Sequence, residues 1–154
     1  MATIKRFEDL ESWQEARDFV KLIYKITKND RFRKDMKLVW QITDSAISTM
    51  SNIAEGFHRN SNREFMRFLD YSRASIAETI SHCYVALDQE YISELELMKV
   101  KTQADIVWKK VNNFISYLNG QLTSRKPSSK KTSQNNSANR TNATNATNKT
   151  NPTN

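Results

Sequence analysis

An all-α protein, folded as an antiparallel up-down four-helix bundle with a disordered C-terminal tail, is what the sequence predicts, and three observations predict it. Two glycines and two prolines in a chain of 154 residues are too few for the closely spaced turns of a β-sandwich. Between residues 1 and 122, four segments repeat their apolar residues at the helical period. Three Ser-x-x-Glu signatures, SWQE at Ser12, SNRE at Ser61 and SELE at Ser93, stand at segment starts. There a serine hydroxyl and a glutamate can satisfy the orphan amides of a first turn.

The first helix is expected to open at the Ser12 box, with Asp9 as a competing N-cap. Its apolar residues, among them Trp13, Phe19, Val20, Leu22, Ile23, Tyr24 and Ile26, sweep about half the circumference, against the roughly 100° that one core covers. That excess predicts self-association, hence a homo-oligomer. The second helix carries Met36, Val39, Trp40, Ile42, Ala46, Ile47, Met50, Ile53 and Ala54 on its apolar side. Gly56 follows one residue after this pattern, where a C′ residue of positive φ is wanted. Asn52, Glu55 and Gly56 are therefore assigned to the hinge and to assembly. Glu55, a carboxylate in a last turn, opposes the helix dipole and calls for a cation: Arg59, Arg63, Arg67 and Arg73 follow closely, and a pair with one of them that staples the junction competes with an intersubunit pair.

The third helix is expected to start at the Ser61 box and to bury Phe65, Phe68, Leu69, Ile76, Ile80, Cys83 and Leu87. A lone buried cysteine acts as a small hydrophobe. The fourth starts at the Ser93 box, with a stripe from Leu97 through Val107 and Val111 to Leu122. Leu95 and Met98 fall outside that stripe and are candidates for an exposed contact. Trp13, Trp40 and Trp108 all lie on apolar faces and are expected in the core.

Residues 1–122 thus form the bundle domain, and residues 123–154 a Ser/Thr/Asn-rich tail ending in Asn-x-Thr repeats. Such a composition cannot bury enough apolar surface to fold. The tail holds Arg125, Lys126, Lys130, Lys131, Arg140 and Lys149 and no acid, so it carries +6 of the net +7 and leaves the bundle at +1. Several repeats match the N-glycosylation pattern, but the N-terminus lacks a secretory apolar region. No run approaches the roughly 18 apolar residues of a membrane span, so the expectation is a cytoplasmic protein with no membrane partner.

No catalytic residues, metal ligands or cofactors are assigned. A di-metal bundle needs several inward carboxylates and two Glu-x-x-His pairs, whereas this chain has His58 and His82, the latter one turn after Glu78. No glycine-rich phosphate loop is present, since Gly56 and Gly120 stand alone. The expectation is a nonenzymatic protein. For nucleic acid, the candidate residues are Arg59, Arg63, Arg67 and Arg73 around the third helix, with Arg31, Arg33, Lys34 and Lys37 at the start of the second. Guanidinium groups on a helix face suit phosphate contacts of strong salt dependence. A protein scaffold is the competing class.

The stretches FEDLESWQEAR at Phe7–Arg17, SNIAEG at Ser51–Gly56 and REFMRFLDYSRASIAE at Arg63–Glu78 together resemble the bacterial family of 23S rRNA intervening-sequence proteins. The resemblance covers nearly all of residues 4–120. It implies a left-handed up-down bundle assembled as a homopentamer and encoded, in many members, within insertions of the large ribosomal RNA gene. A distant relative, the accessory protein of diversity-generating retroelements, binds nucleic acid and a reverse transcriptase, which suggests rRNA, another nucleic acid or a partner enzyme here. Met50 stands where the family often has proline, which implies a straighter second helix. The tail has no counterpart in the family pattern.

Overall fold

The computed structural model describes residues 4–124. Four helices carry it: α1 (Glu11–Ile26), α2 (Met36–Phe57), α3 (Asn62–Asp88) and α4 (Glu94–Ser124), with short 3-10 turns at Phe7–Asp9 and Phe32–Lys34. The expected tail lies outside the described residues, apart from Thr123 and Ser124, which continue α4. Among the described residues, no helix is long and apolar enough to cross a membrane.

Each helix packs against its chain neighbours, and α1 closes the bundle against α4. Paired side chains give the directions. Thr79 Oγ1 donates to Ser45 Oγ at 2.9 Å and Ser72 Oγ donates to the Thr49 carbonyl at 2.7 Å, so α2 and α3 run antiparallel. Gln103 Nε2 donates to Glu15 and Lys110 Nζ to Glu11, which sets α4 against α1 in the same way. That last hydrogen bond holds the exposed Glu11 carboxyl below its ordinary range and Lys110 above its own.

The core is aliphatic and aromatic, with Phe19, Ile23, Ile42, Ile53, Leu69, Val100, Val107 and Val111 fully enclosed. Full burial of such a side chain stabilises by about 1.5–3 kcal/mol. Burial alone pushes the Cys83 thiol up to about 12, so it sits in this core as an inert hydrophobe. Between α2 and α3 the packing is different. Ser45, Thr49, Ser72, Ser75 and Thr79 are buried there, and the hydroxyls of Ser45, Thr49, Ser72 and Thr79 are satisfied by one another or by backbone carbonyls, that of Ser75 among them. Small side chains bring these two helices close.

The caps follow the expected chemistry at two of three places. Ser61 Oγ accepts from the Glu64 amide at 3.2 Å. At Ser93 the box is complete, because Ser93 N also donates to Glu96 Oε2 at 2.8 Å. Asp35 caps α2 by accepting from the Leu38 amide. Ser12, by contrast, caps nothing. The Phe7–Asp9 turn places Leu10 at the N-cap and starts α1 at Glu11, which buries Ser12 inside the helix and leaves Asp9 in the turn.

Three further expectations are corrected. Gly56 is not a C′ residue: it lies inside α2, buried, and no described glycine has positive φ. A β-carbon on Gly56 would stand 2.6 Å from Cδ2 of Phe65 and 2.8 Å from Cβ of Phe68, so the glycine is there for close approach of α3. Met36 and Trp40 are 78% and 74% exposed rather than in the core, because α2 turns Leu38, Ile42 and Ser45 inward instead. In α1, Trp13, Val20 and Leu22 pack against the protein's own core, leaving Tyr24 as its exposed large apolar side chain.

Candidate nucleic-acid interface

The α2–α3 junction positions the arginines. Helix α2 ends at Phe57, and four residues later the Ser61 hydroxyl starts α3. Asn52 is half-buried one turn ahead of Gly56, on the side of α2 that Gly56 presents to α3. One turn past Glu55, Arg59 pairs with that carboxylate through Nη2 and Oε1. A glutamate four residues before its cation is the favourable order, contributing about 0.3–0.5 kcal/mol at the surface.

Arg59 also lies over the Phe68 ring, 4.5 Å from its centroid. Phe68 meets Tyr71 edge to face at 5.7 Å. Arg67 Nε donates to Tyr71 Oη at 2.6 Å, with its guanidinium over the same ring. These contacts make one continuous chain from Glu55 through Arg59, Phe68 and Tyr71 to Arg67. Aromatic faces hold the guanidinium planes in place without neutralising them.

Charge accounting separates the four candidates. Glu64 is engaged with the Ser61 hydroxyl, and Asp70 with Arg73 at 3.2 Å. Arg63 and Arg67 therefore have no acidic partner among the described residues, and both are exposed. Arg63 stands in the first turn of α3, where the helix end is already positive; a cation there adds to a field that favours anions. Arg73 stands apart. It is half-buried, with its guanidinium 4.9 Å from the Trp108 centroid on α4, and its Nε is buried without a partner. The structure thus brings Arg59, Arg63 and Arg67 into one neighbourhood and leaves Arg73 bracing α3 on α4.

Beside the same junction lies an open hollow of about 560 Å³, lined by the aromatic Phe57, Phe65, Phe114 and Tyr117 and by the polar run from Arg59 to Asn62. The other basic group, Arg31, Arg33, Lys34 and Lys37, is at the opposite end of the bundle. There Arg31 pairs with Glu90 at 3.7 Å and Arg33 with Asp30 at 3.1 Å. His82 is half-buried, and its Nδ1 is buried without a partner. The roles of Phe68 and Tyr71 were missed in the sequence, where Phe68 read as core. The signal was the i,i+4 spacing of Arg67 and Tyr71, which puts them on one helix face.

A four-helix core bearing an arginine and aromatic edge at one junction defines the class: an all-α four-helix bundle. The sequence profile of the 23S rRNA-intervening sequence protein family matches residues 8–113, and the chain belongs to that family. Its fold is similar to the crystal structure of a protein of unknown function from the S23 ribosomal protein family of Bacteroides thetaiotaomicron. The two are 21% identical with a TM-score of 0.61, over 68% of this chain and 97% of the other. No curated protein matches the chain.

Proposed function

We propose that this protein is a nonenzymatic, self-associating bundle of the cytoplasm that binds RNA through its phosphate backbone, with Arg63 and Arg67 as the principal contacts and Arg59 beside them. The observation that supports this reading is the pair of unneutralised, exposed guanidinium groups next to the α3 N-terminus, one held on Tyr71. Tyr71 is itself exposed and offers a face on which an unpaired base can stack. Backbone contacts of this kind carry affinity and register rather than sequence. The family's name refers to an intervening sequence of 23S rRNA, which makes a structured rRNA fragment the natural probe.

The test is a titration of that fragment with the full chain, with residues 1–124, and with Arg63→Gln/Arg67→Gln in both, at low and near-physiological salt. The double substitution is expected to weaken binding and to flatten the dependence on salt by about one unit of log–log slope for each phosphate that is no longer neutralised. Binding that disappears with the tail, and is indifferent to the double substitution, overturns the proposal. A second reading, an oligomeric scaffold or accessory factor for a partner protein, is favoured by a separate observation: Leu95 and Met98 are 54% and 58% exposed.

A further inference from the structure

We infer that the hollow at the α2–α3 junction receives a single unpaired nucleobase of the bound RNA, turned out of its strand, while Arg59 holds the adjoining phosphate. This rests on the RNA-binding reading and adds to it a base site separate from the exposed face of Tyr71. The hollow forms where four segments meet at one end of the bundle. Leu10 comes from just ahead of α1, Phe57 from the end of α2, Phe65 from the start of α3, and Phe114 and Tyr117 from the later part of α4.

The rings form one contiguous set. Phe65 meets Phe57 and Phe114 edge to face, with centroids 6.2 and 5.0 Å away. Tyr117 lies nearly parallel to Phe114, with 14° between the planes and 6.2 Å between centroids. Phe65 is buried, and Phe57 and Phe114 are half-buried, so the core fixes these three. Tyr117 is 51% exposed. An exposed ring carried on a helix beside others is a stacking platform, and every base has an aromatic face to offer it. The volume of about 560 Å³ lies within the roughly 300–1,000 Å³ of pockets that enclose small molecules, which is room for one nucleoside.

The polar lining selects a nucleotide over an apolar chain. Asn60 and Asn62 both line the hollow, and a side-chain amide offers the donors and acceptors that pair with a base edge. An aliphatic guest would strip water from these amides and replace it with nothing. No carboxylate lines this hollow, whereas three others among the described residues carry Glu94 with Asp105, Glu11, and Asp105. Its one charged group is Arg59. The pair with Glu55 engages Nη2, and the other two guanidinium nitrogens keep donors for a phosphate.

Arg59 also joins the hollow to the backbone contacts. The guanidinium that lines the hollow lies over Phe68, the ring that leads through Tyr71 to Arg67. On α3, Arg63 and Phe65 point about 160° apart at 100° per residue, and the first is exposed while the second is buried. A strand whose phosphates follow Arg67, Arg63 and Arg59 therefore arrives at the hollow. A base that is stacked and paired in a duplex would have to unpair to enter, so the site favours bulges, loops and ends.

The test uses the full-length protein and three RNA hairpins of one stem sequence. One has a single bulged adenosine, one an abasic residue in its place, and one no bulge. The bulged adenosine is expected to tighten binding by roughly five- to a hundredfold over the other two, the effect of one stacked base. Tyr117→Ala is expected to erase that difference, with circular dichroism to check that the fold is kept. Arg63→Gln/Arg67→Gln is expected to weaken all three hairpins alike and leave their ratio unchanged. A 4-thiouridine at the bulge, irradiated in the wild-type complex, needs no variant. It is expected to crosslink to tryptic peptide 111–125, which contains Phe114 and Tyr117, and not to peptide 68–73, which contains Tyr71. If no hairpin binds, the RNA-binding reading and this inference fail together. Three results overturn the base site and leave backbone binding standing: equal binding of the hairpins, as when residues 1–3 or a second copy cover the hollow; a bulge preference that survives Tyr117→Ala; or a crosslink to peptide 68–73.

Discussion

The two helix junctions on either side of α3 are built from the same starting signal and solve the chain reversal in opposite ways. At both, a Ser-x-x-Glu signature opens the next helix, at Ser61 and at Ser93. The first junction contains a glycine, yet uses it inside α2 to let the Phe65 and Phe68 side chains approach. The second needs a left-handed residue and fills that place with Glu90, at φ 56°. There the Glu90 amide donates to the Leu87 carbonyl and the Tyr91 amide to the Ala86 carbonyl, both at 2.8 Å, the paired bonds of a Schellman ending. The chain spends its glycine on packing density, which no other residue can supply, and tolerates modest backbone strain where an exposed side chain can bear it.

This contrast can be broken most decisively at Gly56. Gly56→Ala adds a methyl group against Phe68 Cβ, an atom fixed to the α3 backbone, as well as against the movable Phe65 ring. Overpacking costs about 1–3 kcal/mol, which outweighs the roughly 1 kcal/mol of helix propensity that alanine returns. Urea unfolding is expected to show a net loss, while Gly120→Ala, with nothing within 4 Å, is expected to be neutral or stabilising. A Gly56→Ala protein as stable as wild type would show that α3 does not need the glycine to approach.

Removal of the caps comes next. Ser93→Ala and Ser61→Ala should each cost about 1 kcal/mol, with Ser93 the larger because only its box closes in both directions. Equal melting temperatures for the two variants would mean that the reciprocal bond contributes nothing. Glu90→Gly has the opposite sign. It relieves the left-handed strain and should stabilise by up to about 1 kcal/mol, less whatever the exposed pair with Arg31 supplies. A lower melting temperature would show that pair outweighing the strain. The smallest effect is expected from Glu55→Gln, which ends an exposed i,i+4 pair worth a few tenths of a kcal/mol; a loss above about 1 kcal/mol would mark Glu55 as buried in an assembly.

Much of this was legible along the chain. The capping boxes at Ser61 and Ser93 are local, involving residues three apart, and so are visible as spacing. That Glu55 calls for an arginine was equally readable, but Arg59, Arg63, Arg67 and Arg73 all follow it closely, and the fold of the junction selects Arg59. Arg63 and Arg67 share an outward face by their spacing. What spacing did not reveal is which acid each arginine meets. Asp70 lies between Arg67 and Arg73, and only the rotation of α3 toward Trp108 commits it to Arg73. The contact of Phe68 with Arg59 depends likewise on how α2 leaves its last turn.

By itself the sequence determined four helices, two of their starts, the aliphatic core and a basic tail, because each depends on composition or on residues within a turn of one another. Tertiary structure alone decided that Met36 and Trp40 face outward, that Gly56 meets Phe65 and Phe68, and that serine and threonine line the contact of α2 with α3. The apolar sweep of a helix says how much surface it must bury. The rotation of that helix about its own axis, which selects the side chains that are buried, is fixed only when its neighbours have closed around it.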